Sequence, residues 1–376
     1  MENKEKIDEI IKCLKENPLF NLSLASKELF HSNFIAWLIE NNPYEFNRIL
    51  SSIITHEKIP NILIKDGIGV VERETRNKDL TIYLEDNKKI VIENKVKSIP
   101  SLQQLKKYST DSGTYYILLS LIKPSFNLDK ISSFTLKNNK SSEGFVWYYI
   151  SYESFIEKLE KISINSSKYD NYVRDYVSFV KNLIQLTIFF DVNLCNNFEP
   201  YKYYHKLREI RLHDLYQKIY FSKIHNLLDL KVKSIDELSS FRSEVDLQSQ
   251  TGRLAISYSC FPSKDLYLEV NLHNDSLRLF ICDKGNKSFL ENVKNVQVIE
   301  DYFSFLNKYN NSNITYPKKP NKYCNTNNFL KIYFYRRIKL ENKTIEEILN
   351  ILVEAMYHIK NSKDSILKEY NNIIKK

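Results

Sequence analysis

The sequence predicts an α/β first unit, in which helices flank a mixed β-sheet, joined to an α+β accessory unit. Three observations lead there. Helical periodicity opens the chain, gives way to strands and returns after them, an order typical of helices packed on a mixed sheet. The strand candidates are β-branched runs bounded by polar turn residues. Apolar residues make up 43% of the 376 residues and aromatics 13%, which is enough to build hydrophobic cores and argues against disorder.

Residues 3–16 and 24–40 are predicted as helices. In the second, Leu24, Phe30, Phe34, Ala36, Trp37 and Leu38 form an apolar side, with Ser23 or Ser26 as cap. A third helix is predicted over 44–56. GIGVVERET, DLTIYL and KIVIENKV then read as strands, and Glu85-Asp86-Asn87-Lys88 as the hairpin turn between the last two. A helix over 100–110, opened by Pro100 and Ser101, leads to strands at 114–122 and 144–151 and helices at 152–162 and 167–190. VNLCNNFEPYK at 192–202 interrupts the pattern and separates a domain of residues 1–192 from one of residues 200–376. The second domain is predicted to hold a long helix over 202–229 and strands at 252–260, 266–273, 276–283 and 329–337. It adds a helix within 289–308 and closing helices at 343–361 and 364–375, with a loop over 310–328.

Composition excludes several classes. Glycine is scarce, at 6 residues, and neither GxGxxG nor GxxxxGK[ST] occurs, which argues against a nucleotide-binding loop. The five cysteines are odd in number, widely spaced and lack CxxC, so neither a zinc site nor a disulfide framework is indicated. The opening MENKEKIDEIIKCLKEN is charged and helical, unlike a secretory signal, and no apolar run approaches the roughly 18 residues of a membrane span. The expectation is a cytoplasmic protein without membrane contact. Lys+Arg of 55 against Asp+Glu of 46 gives a formal charge of +9, a mild lean toward polyanions.

The chemistry concentrates in Arg76 to Tyr108, RNKDLTIYLEDNKKIVIENKVKSIPSLQQLKKY. Side chains alternate across a strand, so Glu93 and Lys95 share a face, and so do Asp79, Thr81 and Tyr83 on the preceding strand. A short turn brings Asp79 opposite Glu93 or Asn94, depending on register. Two carboxylates so placed offer hard oxygen ligands to a divalent cation, Mg²⁺ with Mn²⁺ as substitute, beside a water or phosphate. Lys95 stands ready to orient the water and to stabilise charge on phosphorus, and a bound cation would depress its pKa. The alternative is an exposed hairpin whose Asp, Glu and Lys form a solvated ion pair worth little energetically. Glu93 follows Ile90-Val91-Ile92, however, so the acid ends a strand that reads as buried, where charge must be paired or metal-bound.

Asp79 with Glu93-Asn94-Lys95, and Gln104-Leu105-Lys106-Lys107-Tyr108 as a QxxxY motif on the next helix, resemble the PD-(D/E)XK nuclease superfamily. Glu28-Leu29-Phe30-His31-Ser32 is similar to the helical glutamate and His-Ser of an uncharacterised bacterial branch, and Ile150-Ser151-Tyr152 entering a helix also fits it. The resemblance covers roughly residues 20–190 and implies a restriction-endonuclease-like fold and a metal-dependent nuclease. It implies Asp79, Glu93 and Glu28 as metal ligands, and Asp79, Glu93, Lys95, Gln104 and Tyr108 as the catalytic set. In that superfamily the residue before the motif aspartate is often apolar, with arginine one earlier; here they are Lys78 and Asn77, a departure that bears on strand register.

Alternatives stand beside each assignment. Glu28 is either a ligand or an exposed helix residue near Lys27, and His31 either a packing residue or a site member. Gln104 and Tyr108, at i and i+4, also suit a plain packing pair. Glu74, with Glu72, is a candidate for a second metal site. Lys97, Lys106 and Lys107 are candidates for nucleic-acid contact, and the expected partner is nucleic acid, DNA ahead of RNA, with a homodimer or a partner protein as further options. His205, His213 and His225 lack metal-binding spacing and read as structural or surface residues, and no Ser/His/Asp signature occurs. In the second domain Lys202, Lys206, Arg208 and Arg211 form a basic helix stripe. Phe334-Tyr335-Arg336-Arg337 with Lys339 mixes aromatics and cations as single-strand surfaces do, although core packing explains most such aromatics.

Overall fold

The computed structural model describes residues 2–26, 28–54, 59–75, 78–96, 98, 102–109, 111, 113–124, 147–161, 170–248, 251–259, 266–283, 297–309, 321–324 and 330–374. The chain divides into two compact units, one of Met1–Phe190 with Glu209–Arg211, the other of Asp191–Arg208 with Leu212–Lys376.

In the first unit, helices α1 (Glu2–Glu16), α2 (Pro18–Ser26), α3 (Glu28–Asn41) and α4 (Pro43–Ile53) precede the strands. Where one helix is predicted over 24–40, the structure has two. Asn17 opens α2 by accepting the Phe20 N–H at 2.9 Å through Oδ1, with Pro18 suited to the first helical position. The largely apolar PLFNLSLAS carries no helical period, so pattern reading misses it.

A two-stranded ribbon, β1 (Ile64–Lys65) and β2 (Ile68–Gly69), precedes a five-stranded mixed sheet in the order β3-β4-β5-β6-β7. Its strands are β3 (Val71–Thr75), β4 (Lys78–Tyr83), β5 (Lys89–Lys95), β6 (Thr114–Ser120) and β7 (Trp147–Ser151). β3, β4 and β5 pair antiparallel, while β5, β6 and β7 pair parallel. Glu85–Lys88 forms the turn: Asp86 Oδ1 accepts the Lys88 N–H at 3.1 Å, and Asn87 takes a left-handed φ of 62°. Helix α5 (Leu102–Tyr108) connects β5 to β6, and α6 (Tyr152–Glu160) and α7 (Asp170–Phe189) follow β7. Ser151 caps α6, its side chain accepting the Ser154 N–H at 3.1 Å. The alternation of β5 sends Val91 to a core cluster with Leu105, Tyr116, Leu118 and Trp147 on the α5 side, and Ile90, Ile92 and Asn94 to the opposite side.

The second unit contains a six-stranded antiparallel sheet, in the order β12-β13-β11-β10-β9-β8. Its strands are β8 (Arg242–Gln248), β9 (Thr251–Ser259), β10 (Leu266–His273), β11 (Ser276–Asp283), β12 (Asn321–Cys324) and β13 (Leu330–Lys339). Its helices are α8 (Tyr204–Glu209, its last residue grouped with the first unit), α9 (His213–Val232), α10 (Gln297–Ser304) and α11 (Ile345–Ile374). Three expectations are corrected here. The helix predicted over 202–229 breaks at Arg211, whose φ is 55°. The two predicted closing helices are one, because Asn361-Ser362-Lys363-Asp364 is polar but contains no Gly or Pro to stop it. Strand β8 has no predicted counterpart, and β12 lies within the predicted loop.

Candidate active site

The register of the hairpin decides which polar groups meet. Leu80 pairs with Ile92, Thr81 with Val91 and Ile82 with Ile90. Carried one step further, that register sets Asp79 across from Glu93. On the outer side, Arg73 pairs with Leu80 and Thr75 with Lys78, so Glu74 stands across from Asp79. Asp79 thus lies within electrostatic reach of both Glu93 and Glu74, the latter held at a left-handed φ of 51°. Glu72 lies one pair inward, beside Thr81, and is exposed.

Glu93 is the buried centre, only 1% exposed. Its Oε1 meets the Lys95 Nζ at 2.6 Å and accepts from Gln104 Nε2 at 2.7 Å. Gln104 Nε2 also donates to the Tyr108 hydroxyl at 3.0 Å, so the i, i+4 pair on α5 faces Glu93. The second oxygen, Glu93 Oε2, is buried and accepts no hydrogen bond from the described residues. Asp79 Oδ2 accepts the Asn94 backbone N–H at 2.7 Å. At the start of α3, Glu28 Oε1 accepts the Ser98 N–H at 2.5 Å, just past the end of β5.

Burial, opposed by the Asn94 N–H and Lys95 and reinforced by Glu74 and Glu28, raises Asp79 to about 6. Burial and then Asp79 push Glu93 up to about 7, although Lys95 opposes them. Burial pulls Lys95 down, but Glu93, Asp79 and Glu28 outweigh it and hold its ammonium above the ordinary lysine value. A cation would act in the opposite sense on Lys95. Among the described residues, Glu28, Glu74, Asp79 and Glu93 thus bring more carboxylates to the site than the Lys95 ammonium can pair.

Other predicted residues sit as follows. His31 is buried beside Tyr176, its Nδ1 3.1 Å from that hydroxyl. Lys107 is exposed on α5, whereas Lys97 and the Lys106 side chain lie outside the described residues. The departure at Lys78 leaves the register unbroken: its stem is buried and its ammonium meets Asp111 at 2.9 Å. Sequence reasoning did not single out Asn94, whose side chain is fully buried, nor Tyr176.

In the second unit Arg336 is buried, ion-paired with Glu300 and stacked over Phe303, so it is no part of an open cationic surface. Tyr335 stacks on Phe280 at 4.9 Å. Arg211 stands at the break between helices rather than on one continuous stripe. Ser243 Oγ and His225 Nε2 lie 2.7 Å apart, but Asp229 stays 3.6 Å from His225 Nδ1, too far for a hydrogen bond that would orient the ring.

Residues 17–178 match the family model of the PD-(D/E)XK nuclease superfamily. The first unit is similar to that superfamily over those residues. Comparison with curated proteins and with solved structures returns no match. PD-(D/E)XK nucleases generally use divalent metals and act on nucleic acid. The five-stranded mixed sheet with its flanking helices is a restriction-endonuclease-like arrangement. Among the described residues no group of three or more His, Cys, Asp or Glu side chains is arranged to hold a metal ion. The donor set nevertheless fits a hard cation, because Glu93 keeps one buried oxygen without a hydrogen bond from the described residues and two of the acids are held protonatable near neutrality. Among the described residues no helix is long and apolar enough to cross a membrane.

Proposed function

We propose that the first unit is a Mg²⁺-dependent nuclease that hydrolyses phosphodiester bonds, with Mn²⁺ as a substitute and DNA favoured over RNA. The observation that carries this reading is the buried Glu93, bridged to Lys95 and Gln104 and leaving Oε2 open, with Asp79 in register beside it. Asp79 and Glu93 would hold the metal, with Glu28 approaching once the cation screens their mutual repulsion. Bound there, Mg²⁺ would lower the pKa of its water and neutralise charge on the phosphate. Lys95 orients the attacking water or donates to a phosphate oxygen. Gln104 fixes the Glu93 carboxylate, and the Tyr108 hydroxyl, which accepts from Gln104, keeps its own proton to offer the backbone phosphate. Glu74 is positioned for a second cation next to Asp79. Lys97, Lys106 and Lys107 would contact flanking phosphates.

By analogy with the superfamily, the reading extends to a cytoplasmic role in restriction or phage defence, with the second unit contacting nucleic acid, a second copy or a partner protein. A competing reading is a nucleic-acid-binding protein whose nuclease fold is idle or needs a partner. The test compares wild type with Asp79→Ala and Lys95→Ala on plasmid DNA and on RNA in Mg²⁺. Both variants should stay folded and lose cleavage by at least ~100-fold. Equal activity in all three proteins would sink the assignment, and binding without cleavage in Mg²⁺ or Mn²⁺ would favour the idle fold.

A further inference from the structure

The middle residue of Glu93-Asn94-Lys95 turns its side chain away from the carboxylates and into the opposite side of the sheet, where it is fully buried. Both ends of its amide are engaged. Asn94 Nδ2 donates to Ser32 Oγ on α3 at 3.0 Å, and Oδ1 accepts from the Tyr152 hydroxyl on α6 at 2.6 Å. The Tyr152 hydroxyl in turn interacts with that of Tyr176 on α7, and the Tyr176 hydroxyl lies 3.1 Å from His31 Nδ1, back on α3. His31, Ser32, Asn94, Tyr152 and Tyr176 are all at most 1% exposed. A polar chain is thus threaded through a core whose neighbours are Phe30, Phe34, Phe155 and Phe179. Leaving any such group unmatched in a core is costly. An apolar core could fill the space without that exposure to error.

The other side of Asn94 explains the chain. The β4–β5 ladder runs from Tyr83–Lys89 to Leu80–Ile92. Beyond it, the Asn94 N–H is taken by Asp79 Oδ2 at 2.7 Å. The residue held by side chains of α3 and α6 on one side is the residue whose backbone holds the proposed metal ligand on the other.

We propose that Ser32, Tyr152, Tyr176 and His31 form a positioning relay that fixes Asn94 and, through its backbone N–H, sets the Asp79 carboxylate. These are positioning residues; none touches substrate. The proposal assigns chemistry to the His-Ser pair and to Tyr152, and it rests on the nuclease reading for its consequence but not for its geometry.

Two measurements on the full chain separate the two. The first is metal-free amide hydrogen exchange of wild type, Tyr152→Phe and Ser32→Ala. Exchange at the Asn94 N–H should accelerate at least ~10-fold in both variants, while the Ile117 amide on β6 keeps its rate. The second is Mn²⁺ affinity of the same proteins, with Asp79→Asn and the Tyr152→Phe/Asp79→Asn double variant. Tyr152→Phe should weaken Mn²⁺ about 5- to 10-fold in the wild-type background and not at all in the Asp79→Asn background. As a control, Ile156→Val on α6 should lower the melting temperature without changing either readout. Unchanged Asn94 exchange in both variants overturns the relay, as does Mn²⁺ affinity unaffected by Tyr152→Phe when wild type binds Mn²⁺ through Asp79. If wild type shows no Asp79-dependent Mn²⁺ binding, the nuclease reading falls, and the exchange rates alone decide the relay.

Discussion

Asp79 and Glu93 sit where the metal-free protein disfavours two negative charges, and this has a measurable sign. Burial holds Asp79 up to about 6, above its unfolded value. Between those values the native state binds more protons than the unfolded chain, so this group lowers stability progressively as pH rises and does so fully above the native pKa. Asp79→Asn removes the effect. The melting temperature of the variant minus that of wild type should therefore be more positive at about pH 8 than at about pH 4, in the presence of chelator. A difference that stays constant with pH would contradict the burial of Asp79. Added metal reverses the sense, because ligands must shed their protons to bind. Mn²⁺ affinity is expected to drop as pH falls through about 7 and about 6, the values to which Glu93 and Asp79 are raised, and a calorimetric titration at several pH values reads it directly. Acid-x-Lys spacing foretold the shared face of Glu93 and Lys95. It could not foretell that Lys95 is spent on Glu93 at 2.6 Å, because the depth of burial that drives the pairing is not written in two residues.

Helix α3 delivers Glu28 to the end of β5, and two contacts fix its course. Arg73 on β3 meets Glu40 at 2.6 Å. Gly69 passes so close to α3 that an added Cβ would lie 2.5 Å from the Ile39 carbonyl oxygen. Gly69→Ala should therefore destabilise the protein by about 1–3 kcal/mol, the range for overpacking, and a urea midpoint equal to wild type would refute the close approach. Asn17→Ala removes the cap of α2 and should lower stability by ~1 kcal/mol in the same assay. The hairpin was legible because Asp-Asn turn residues separate two β-branched runs. Helix α2 was not, since its apolar residues surround the axis. The strand over 329–337 was legible too, yet the sequence does not say that Arg336 points inward to Glu300 and Phe303 while Arg337 stays exposed.

The +9 charge of the full chain bears on binding rather than on fold. If nucleic acid is the substrate, affinity measured in chelator should fall linearly in log K against log salt, for DNA and RNA alike, as counterions are displaced. Salt-independent association would point to a protein or small-nucleotide ligand instead. The second unit has a six-stranded antiparallel sheet with its own helices, and Glu209–Arg211 groups with the first unit.

Strand and helix periods, turn chemistry and the spacing of Asp79, Glu93, Lys95, Gln104 and Tyr108 are local properties, and the order of residues suffices to place them on one hairpin and the helix after it. What needed three dimensions was the company those residues keep: the register that aligns Asp79 with Glu93, the open oxygen of Glu93, and the buried chain from His31 to Asn94. These depend on contacts between residues far apart in the chain, as Asn94 is from Ser32 and Tyr152, and such pairings are set by packing and burial.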